Sequence, residues 1–262
     1  VEEVEFTDKP DKYDFLSLGG DRKIKLWNWD WKRNEASNPP AQPAVTINLA
    51  EDQTDADSPW DKSLQWTSSL NWSPSENLIA ATFAGDLHLY QRQGEIFEEI
   101  ELKLPEEFNV KFNSCAISAD EKQIAAGGVR LLEDGRTLES FSSIWTLRDG
   151  QPPLLNAIFK GNHSPNRNSD QVAGTTAIAF GPDGFTLLTG GTDGTLLEWD
   201  WDDRKADSDE IPEGDQFTSY KVENENPHTA TINSIDVSKK GDIITSGGDG
   251  HVAFWPAIDL DL

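Results

Sequence analysis

The chain has 262 residues, enough for one substantial core or two modest ones. It holds 22 Lys and Arg against 47 Asp and Glu, and a net charge of −25 repels phosphate backbones and anionic lipid, so neither nucleic acid nor membrane is expected as a partner. One cysteine, Cys115, excludes an intrachain disulfide, and without a CxxC pair there is no zinc signature, so stability has to come from packing.

The first segment, VEEVEFTDKPDKYDFLSLGGDRKIKLW, reads as two strands, a turn and a short third strand ending in Trp27. Leu70 to Tyr90 repeats the two strand runs, with a shorter second turn and a tyrosine at the end. Asn113 to Trp145 is a third copy carrying an insertion, Val129 to Ser140, and Ala125 falls where the other copies place a hydroxyl. The fourth, Thr175 to Trp199, has a Pro182-Asp183-Gly184 turn, in which proline presets φ and glycine permits φ above zero. The fifth, Thr231 to Trp255, repeats the scheme with Lys-Gly-Asp and Gly-Gly-Asp-Gly turns. Outer strands are expected at Ala44 to Leu49, Phe97 to Leu104, Leu154 to Phe159 and Gln216 to Val222.

Three copies keep a common register. Asp21, Asp193 and Asp249 each stand six residues before Trp27, Trp199 and Trp255, and Ser17, Thr189 and Thr245 stand four residues before those aspartates. On these residues the chain resembles the WD40-repeat family over essentially its whole length, although a literal Trp-Asp pair occurs only at Trp199-Asp200. The resemblance implies an all-β fold, a propeller of four-stranded blades, with approximate blades at 1–50, 66–104, 109–160, 172–222 and 229–262. It also implies a buried tetrad of tryptophan, Ser/Thr, aspartate and a histidine from the preceding loop, present in full as Trp255, Thr245, Asp249 and His228. Trp199, Thr189 and Asp193 match in the fourth copy, with His163 ahead of a long polar loop; the first copy supplies Trp27, Ser17 and Asp21. A buried indole N–H and a buried carboxylate are tolerable only when paired, so these residues are expected to be structural rather than catalytic. Five copies are read either as part of a larger ring of about seven blades, completed by an upstream segment or another chain, or as a closed five-bladed ring.

The chemistry of the connecting loops is sparse. Asp55 and Asp57, and Asp207 and Asp209, alternate in acidic loops, but neither loop follows the calcium-binding pattern of D-x-D-x-D-G with a distal glutamate, and no metal is assigned. Trp29, Trp31 and Trp201 extend the strand alternation beyond Trp27 and Trp199, and Trp60 lies in the first acidic loop. They are read as packing between blades or as anchors for a partner. No Walker loop, GxSxG or HExxH is present, and no catalytic residue or cofactor is assigned. The expected function is a non-catalytic protein-interaction scaffold or sensor module in the cytoplasm, binding protein partners. The alternative is a propeller hydrolase or lyase with its site at the channel mouth.

Overall fold

A computed structural model describes residues 2–6, 13–28, 42–49, 67–105, 108–134, 138–161, 163–164, 174–200, 215–220 and 228–257. Alternation of apolar and polar residues and frequent glycine turns yield strands throughout, and the described residues form five small antiparallel sheets arranged as the blades of a propeller. Among them no helix is long and apolar enough to cross a membrane.

The first sheet consists of β1 (Glu3–Phe6), β2 (Phe15–Gly19), β3 (Lys23–Trp27) and β4 (Val45–Asn48). The second holds β5 (Ser69–Trp72), β6 (Leu78–Phe83), β7 (Asp86–Gln93) and β8 (Ile96–Ile100). β9 (Asn109–Ile117), β10 (Gln123–Leu131), β11 (Leu138–Arg148) and β12 (Gln151–Lys160) make the third, and β13 (Thr175–Phe180), β14 (Thr186–Gly191), β15 (Leu196–Asp200) and β16 (Asp215–Tyr220) the fourth. The fifth shows three described strands, β17 (Ile232–Val237), β18 (Ile243–Gly247) and β19 (Val252–Trp255).

Turn chemistry follows the sequence where it was explicit. Gly184 has φ +74°, and Asp183 Oδ1 accepts the Phe185 and Thr186 N–H groups at 2.9 Å each, so the Pro-Asp-Gly turn is closed by its own aspartate. The expected insertion in the third sheet is instead a continuation of the ladder. Val129 pairs with Ser140, Arg130 with Glu139 and Leu131 with Leu138, which lengthens one hairpin. Pairing also moves the hydroxyl position of this sheet from Ala125 to its neighbour. Trp145 lies opposite Ile124, so its face carries Ala126, whereas Ala125 points to the other side among Ile144, Ala157 and Leu197.

Four apolar layers join the five sheets in sequence. Leu16, Ile24 and Leu26 of the first sheet pack with Leu70, Trp72 and Tyr90 of the second. Leu78 and Leu89 then meet Phe112, Ile124 and Trp145; Ile144 and Phe159 meet Phe180, Leu187 and Trp199; Leu188 and Leu196 meet Ile232 and Ile243. Each layer removes large side chains from water, worth about 1.5–3 kcal/mol per fully buried Leu, Ile or Phe, and this is what holds neighbouring sheets in place.

The innermost strands β1, β5, β9, β13 and β17 converge on a central channel, and polar side chains tie each to the next. Glu3 and Glu5 accept the backbone N–H groups of Leu70 and Trp72. Asn71 Oδ1 accepts the Ile117 N–H at 2.9 Å, and Ser69 Oγ accepts the Cys115 N–H at a longer 3.4 Å. On the carbonyl side, Asn113 Nδ2 donates to Thr175 O at 3.2 Å and Thr176 Oγ1 to Ile232 O at 2.6 Å. Backbone groups on the open edges of β5, β9, β13 and β17 thereby find side-chain partners without a flanking strand.

Candidate functional site

In the fourth and fifth sheets an indole, a hydroxyl, an imidazole and a carboxylate are linked in a line. Trp199 Nε1 donates to Thr189 Oγ1 at 2.8 Å, and His163 Nε2 lies 2.9 Å from the same hydroxyl. His163 Nδ1 lies 3.2 Å from Asp193 Oδ1 and 3.1 Å from Thr195 Oγ1. The fifth sheet repeats this with Trp255 Nε1 to Thr245 Oγ1 at 3.5 Å, His228 Nε2 to Thr245 Oγ1 at 2.8 Å and His228 Nδ1 to Asp249 Oδ1 at 3.2 Å. One neutral tautomer satisfies every group. With the proton on Nδ1, each imidazole donates to its aspartate and accepts the threonine hydroxyl, whose oxygen accepts the indole N–H.

The aspartates are further held by backbone. Asp193 Oδ2 accepts the Ser164 N–H at 2.9 Å, and Asp249 Oδ2 accepts the Thr229 N–H at 2.8 Å, so each carboxylate fastens the loop that delivers the histidine. Burial alone would raise the Asp193 carboxyl, but bonds from His163, Thr195 and Ser164 outweigh it and hold it at about 2. Burial likewise opposes ionisation of Asp249, and the amides of His251 and Thr229 together with His228 carry it well below the usual carboxylate range. Two glycines make room for the rings. A Cβ at Gly191 would lie 2.1 Å from His163 Nδ1, and one at Gly247 would lie 2.3 Å from His228 Nδ1. The sequence places Gly247 in a turn and does not single out Gly191; the available signal is a glycine two residues before each aspartate, as Gly191-Thr192-Asp193 and Gly247-Gly248-Asp249.

The other sheets depart from this arrangement. Trp27 Nε1 donates to Ser17 Oγ at 2.9 Å, while Asp21 pairs with Lys25 Nζ at 2.8 Å on the surface. His88 Nδ1 meets Glu99 Oε1 at 2.8 Å in the second sheet, and Trp145 Nε1 donates to Lys103 O at 3.0 Å in the third. Trp29, Trp31, Trp60 and Trp201 lie outside the described residues, as do Asp55, Asp57, Asp207 and Asp209. Among the described residues no His, Cys, Asp and Glu side chains are grouped in threes to hold a metal ion.

Two cavities occupy the axis. The inner one, about 170 Å³, is lined by all five inner strands with hydroxyl, amide and thiol groups and one charged residue, Glu3. Burial pushes the Glu3 carboxyl up to about 7 and that of Glu5 to about 8, each partly offset by its amide bond, and in both residues Oε2 is buried without a hydrogen-bond partner. Burial likewise pushes the Cys115 thiol far above its ordinary range. The second cavity, about 490 Å³, opens at one mouth of the channel between the second, third, fourth and fifth sheets. Trp72, Ile117 and Phe180 form its floor, Pro74 and Pro182 its rim, and Lys239 stands at its edge.

The family model described as WD domain, G-beta repeat, matches residues 162–200 and 221–256, the segments that carry the two complete linear arrangements. In fold, the chain is similar to the crystal structure of the β-propeller domain of Cps50 (Swd1) from Myceliophteria thermophila, with 17% identity and a TM-score of 0.54. The similarity covers 94% of this chain and 62% of that domain, so the chain spans less than two thirds of the propeller it matches. Comparison with curated proteins gives no sequence match.

Proposed function

Because the chain belongs to the WD40-repeat β-propellers, we propose that it is a non-catalytic scaffold or sensor module that binds protein partners, acting in the cytoplasm as the propeller part of a larger protein or complex. The observation that carries this reading is the channel-mouth cavity, an apolar floor inside a rim built from turns of four different sheets. Apolar floors with polar rims are the usual form of a protein-binding surface, and turns on a rigid scaffold can vary without cost to the core. His163 and His228, the residues most readily taken for acid–base groups, are buried and bonded at both ring nitrogens within their sheets.

A channel hydrolase or lyase is the competing reading, and one observation favours it: the Glu3 carboxyl, held near 7, lines the inner cavity. Against it, the remaining described residues of that cavity offer neither a second carboxylate nor a histidine or arginine to complete acid–base chemistry.

The two readings separate experimentally. Immobilised wild-type chain should retain a protein partner from the cells it comes from, and that partner, once purified, should bind directly in solution. Pro182→Glu together with Lys239→Glu, both at the mouth, should weaken binding far more than Pro182→Ala, which carries the same small loss of turn stability. Unaltered binding by that double variant removes the mouth as the surface. Turnover of a model ester or glycoside that is lost in Glu3→Gln would establish the enzyme instead.

A further inference from the structure

A second concavity lies beside the channel mouth. It is a groove of about 640 Å³ between the second and third sheets, at the end where the β5–β6, β9–β10 and β11–β12 turns lie. Leu78 and Ile100 line it from the second sheet, and Leu147, Pro152 and Pro153 from the third. Two turns serve both cavities. Pro74 and Ala119 line the mouth, while Asn77, Glu121 and Lys122 of the same turns line the groove. Between the two, the Glu121 carboxylate accepts the Ser75 N–H at 2.6 Å and also the Ser75 hydroxyl, so a single bridge ties the turns together and separates mouth from groove.

The charges along this path are not used alike. Around the two cavities stand four cations, Lys103, Lys122, Arg148 and Lys239, and four carboxylates, Glu101, Glu121, Asp149 and Asp236, whereas the whole chain has 22 Lys and Arg to 47 Asp and Glu. Three of the carboxylates are engaged: Glu121 by Ser75, Glu101 by Lys103 Nζ at 3.2 Å, and Asp236 by the Val237 N–H at 2.9 Å. Of the cations, only Lys103 meets a carboxylate. Arg148 donates to the Pro152 carbonyl at 2.8 and 3.2 Å, and the exposed side chains of Lys122 and Lys239 have no partner among the described residues. Charges farther off than about 8 Å are screened at physiological ionic strength, so these local groups set what the path attracts.

We infer that mouth and groove form one track for an extended peptide segment of a partner protein, in which apolar residues are interspersed with aspartate or glutamate. Its apolar side chains fill the mouth over Trp72, Ile117 and Phe180 and the groove between Leu78 and Pro152. Its carboxylates meet Lys239 at the mouth and Lys122 as the segment crosses the Ser75–Glu121 bridge. This deepens the scaffold reading and rests on it. The occupant is an extended segment because two apolar hollows lie on either side of a bridge: successive side chains of one chain reach both, whereas a compact ligand fills only one. An acidic segment is favoured over a basic one because a basic one would set its cations against Lys122 and Lys239 and find only Asp149 unengaged.

The test pans a phage-displayed library of random dodecapeptides against the folded full chain and titrates the enriched peptides, synthesised with fluorescein, by anisotropy. They should carry Asp or Glu among apolar residues. Lys122→Ala and Lys239→Ala, both at exposed positions, should each weaken the same peptide roughly three- to tenfold at unchanged melting temperature, and Lys25→Ala on the first sheet should not. Replacing the peptide's acidic residue by its amide should cost a similar factor against the wild type and nothing further against the lysine variant it meets. No enrichment, peptides without carboxylates, or peptides weakened by one lysine change alone or by neither overturn the inference. If the peptides fail while the cellular partner is still lost with Pro182→Glu and Lys239→Glu, the track fails alone; if that partner is also retained, the mouth fails with it as the binding surface.

Discussion

The ring nitrogen Nε2 of His228 lies 2.8 Å from the hydroxyl of Thr245, which ties the loop before the fifth sheet to the middle strand of that sheet. Thr245 and His228 are both essentially removed from water, so neither can exchange its partner for solvent. Thr245→Val keeps the shape and removes the hydroxyl. It should cost about 1–3 kcal/mol, because the indole N–H and the imidazole each lose a partner inside the fold. Urea unfolding followed by tryptophan fluorescence measures this, and an unchanged midpoint would show that the hydrogen-bonded line contributes no stability.

Gly247→Ala tests the same unit by crowding. A Cβ there would lie 2.3 Å from His228 Nδ1 and 2.7 Å from Asp249 Oδ1, so the ring must leave its place between them. The substitution should destabilise the protein by roughly 1–3 kcal/mol and lower its melting temperature by several degrees. Gly150→Ala, at a turn with φ +65° and no neighbour for an added Cβ, should show only the smaller cost of strain in the left-handed region.

Acid should unfold the molecule through its tethered aspartates. Asp193 titrates at about 2 in the fold against an ordinary value near 3.8, so its contribution is present above the ordinary value and is lost as pH falls through the folded one. Stability should therefore drop between about pH 4 and pH 2. Asp193→Asn should flatten that fall while lowering stability at neutral pH. A wild-type and variant profile of the same slope across this window would contradict the assignment.

Glu5 should act in the opposite direction. Its carboxyl, pushed up to about 8 by burial against the second sheet, favours the protonated fold, and that stability is fully present below its unfolded value and lost as pH rises through 8. Glu5→Gln retains an oxygen for the Trp72 N–H and removes the charge. Its melting temperature should exceed that of the wild type at pH 9 and match it near pH 5, as measured by calorimetry.

Cys115 should be silent while the protein is folded. The thiol is buried, and burial raises it far out of the range in which thiolate forms at neutral pH. Ellman's reagent should find no reactive thiol in the native protein and one in denaturant; rapid native labelling would show that the inner strands open.

How much of this was legible beforehand follows from the range of each interaction. The spacing from Thr245 to Asp249 to Trp255 lies within one hairpin pair, so sequence distance fixes it, and the same holds for the turn at Asp183. His163 is different. It stands 26 residues before its partner Thr189, behind a polar loop, and only the folded chain brings the two within 2.9 Å.

Alternation and turn chemistry are local properties of a strand and its neighbour, so the repeated sheets could be read from the residues alone. Which side of each sheet meets the next was set only in the folded chain. Pairing register moved the hydroxyl position from Ala125 to Ala126, turned the apparent insertion into a longer ladder, and brought Asn233, Ser234 and Asp236 to an exposed edge. Such choices depend on a one-residue shift that reverses every side chain, and that shift is set by bulges and cross-sheet contacts between residues distant in the chain.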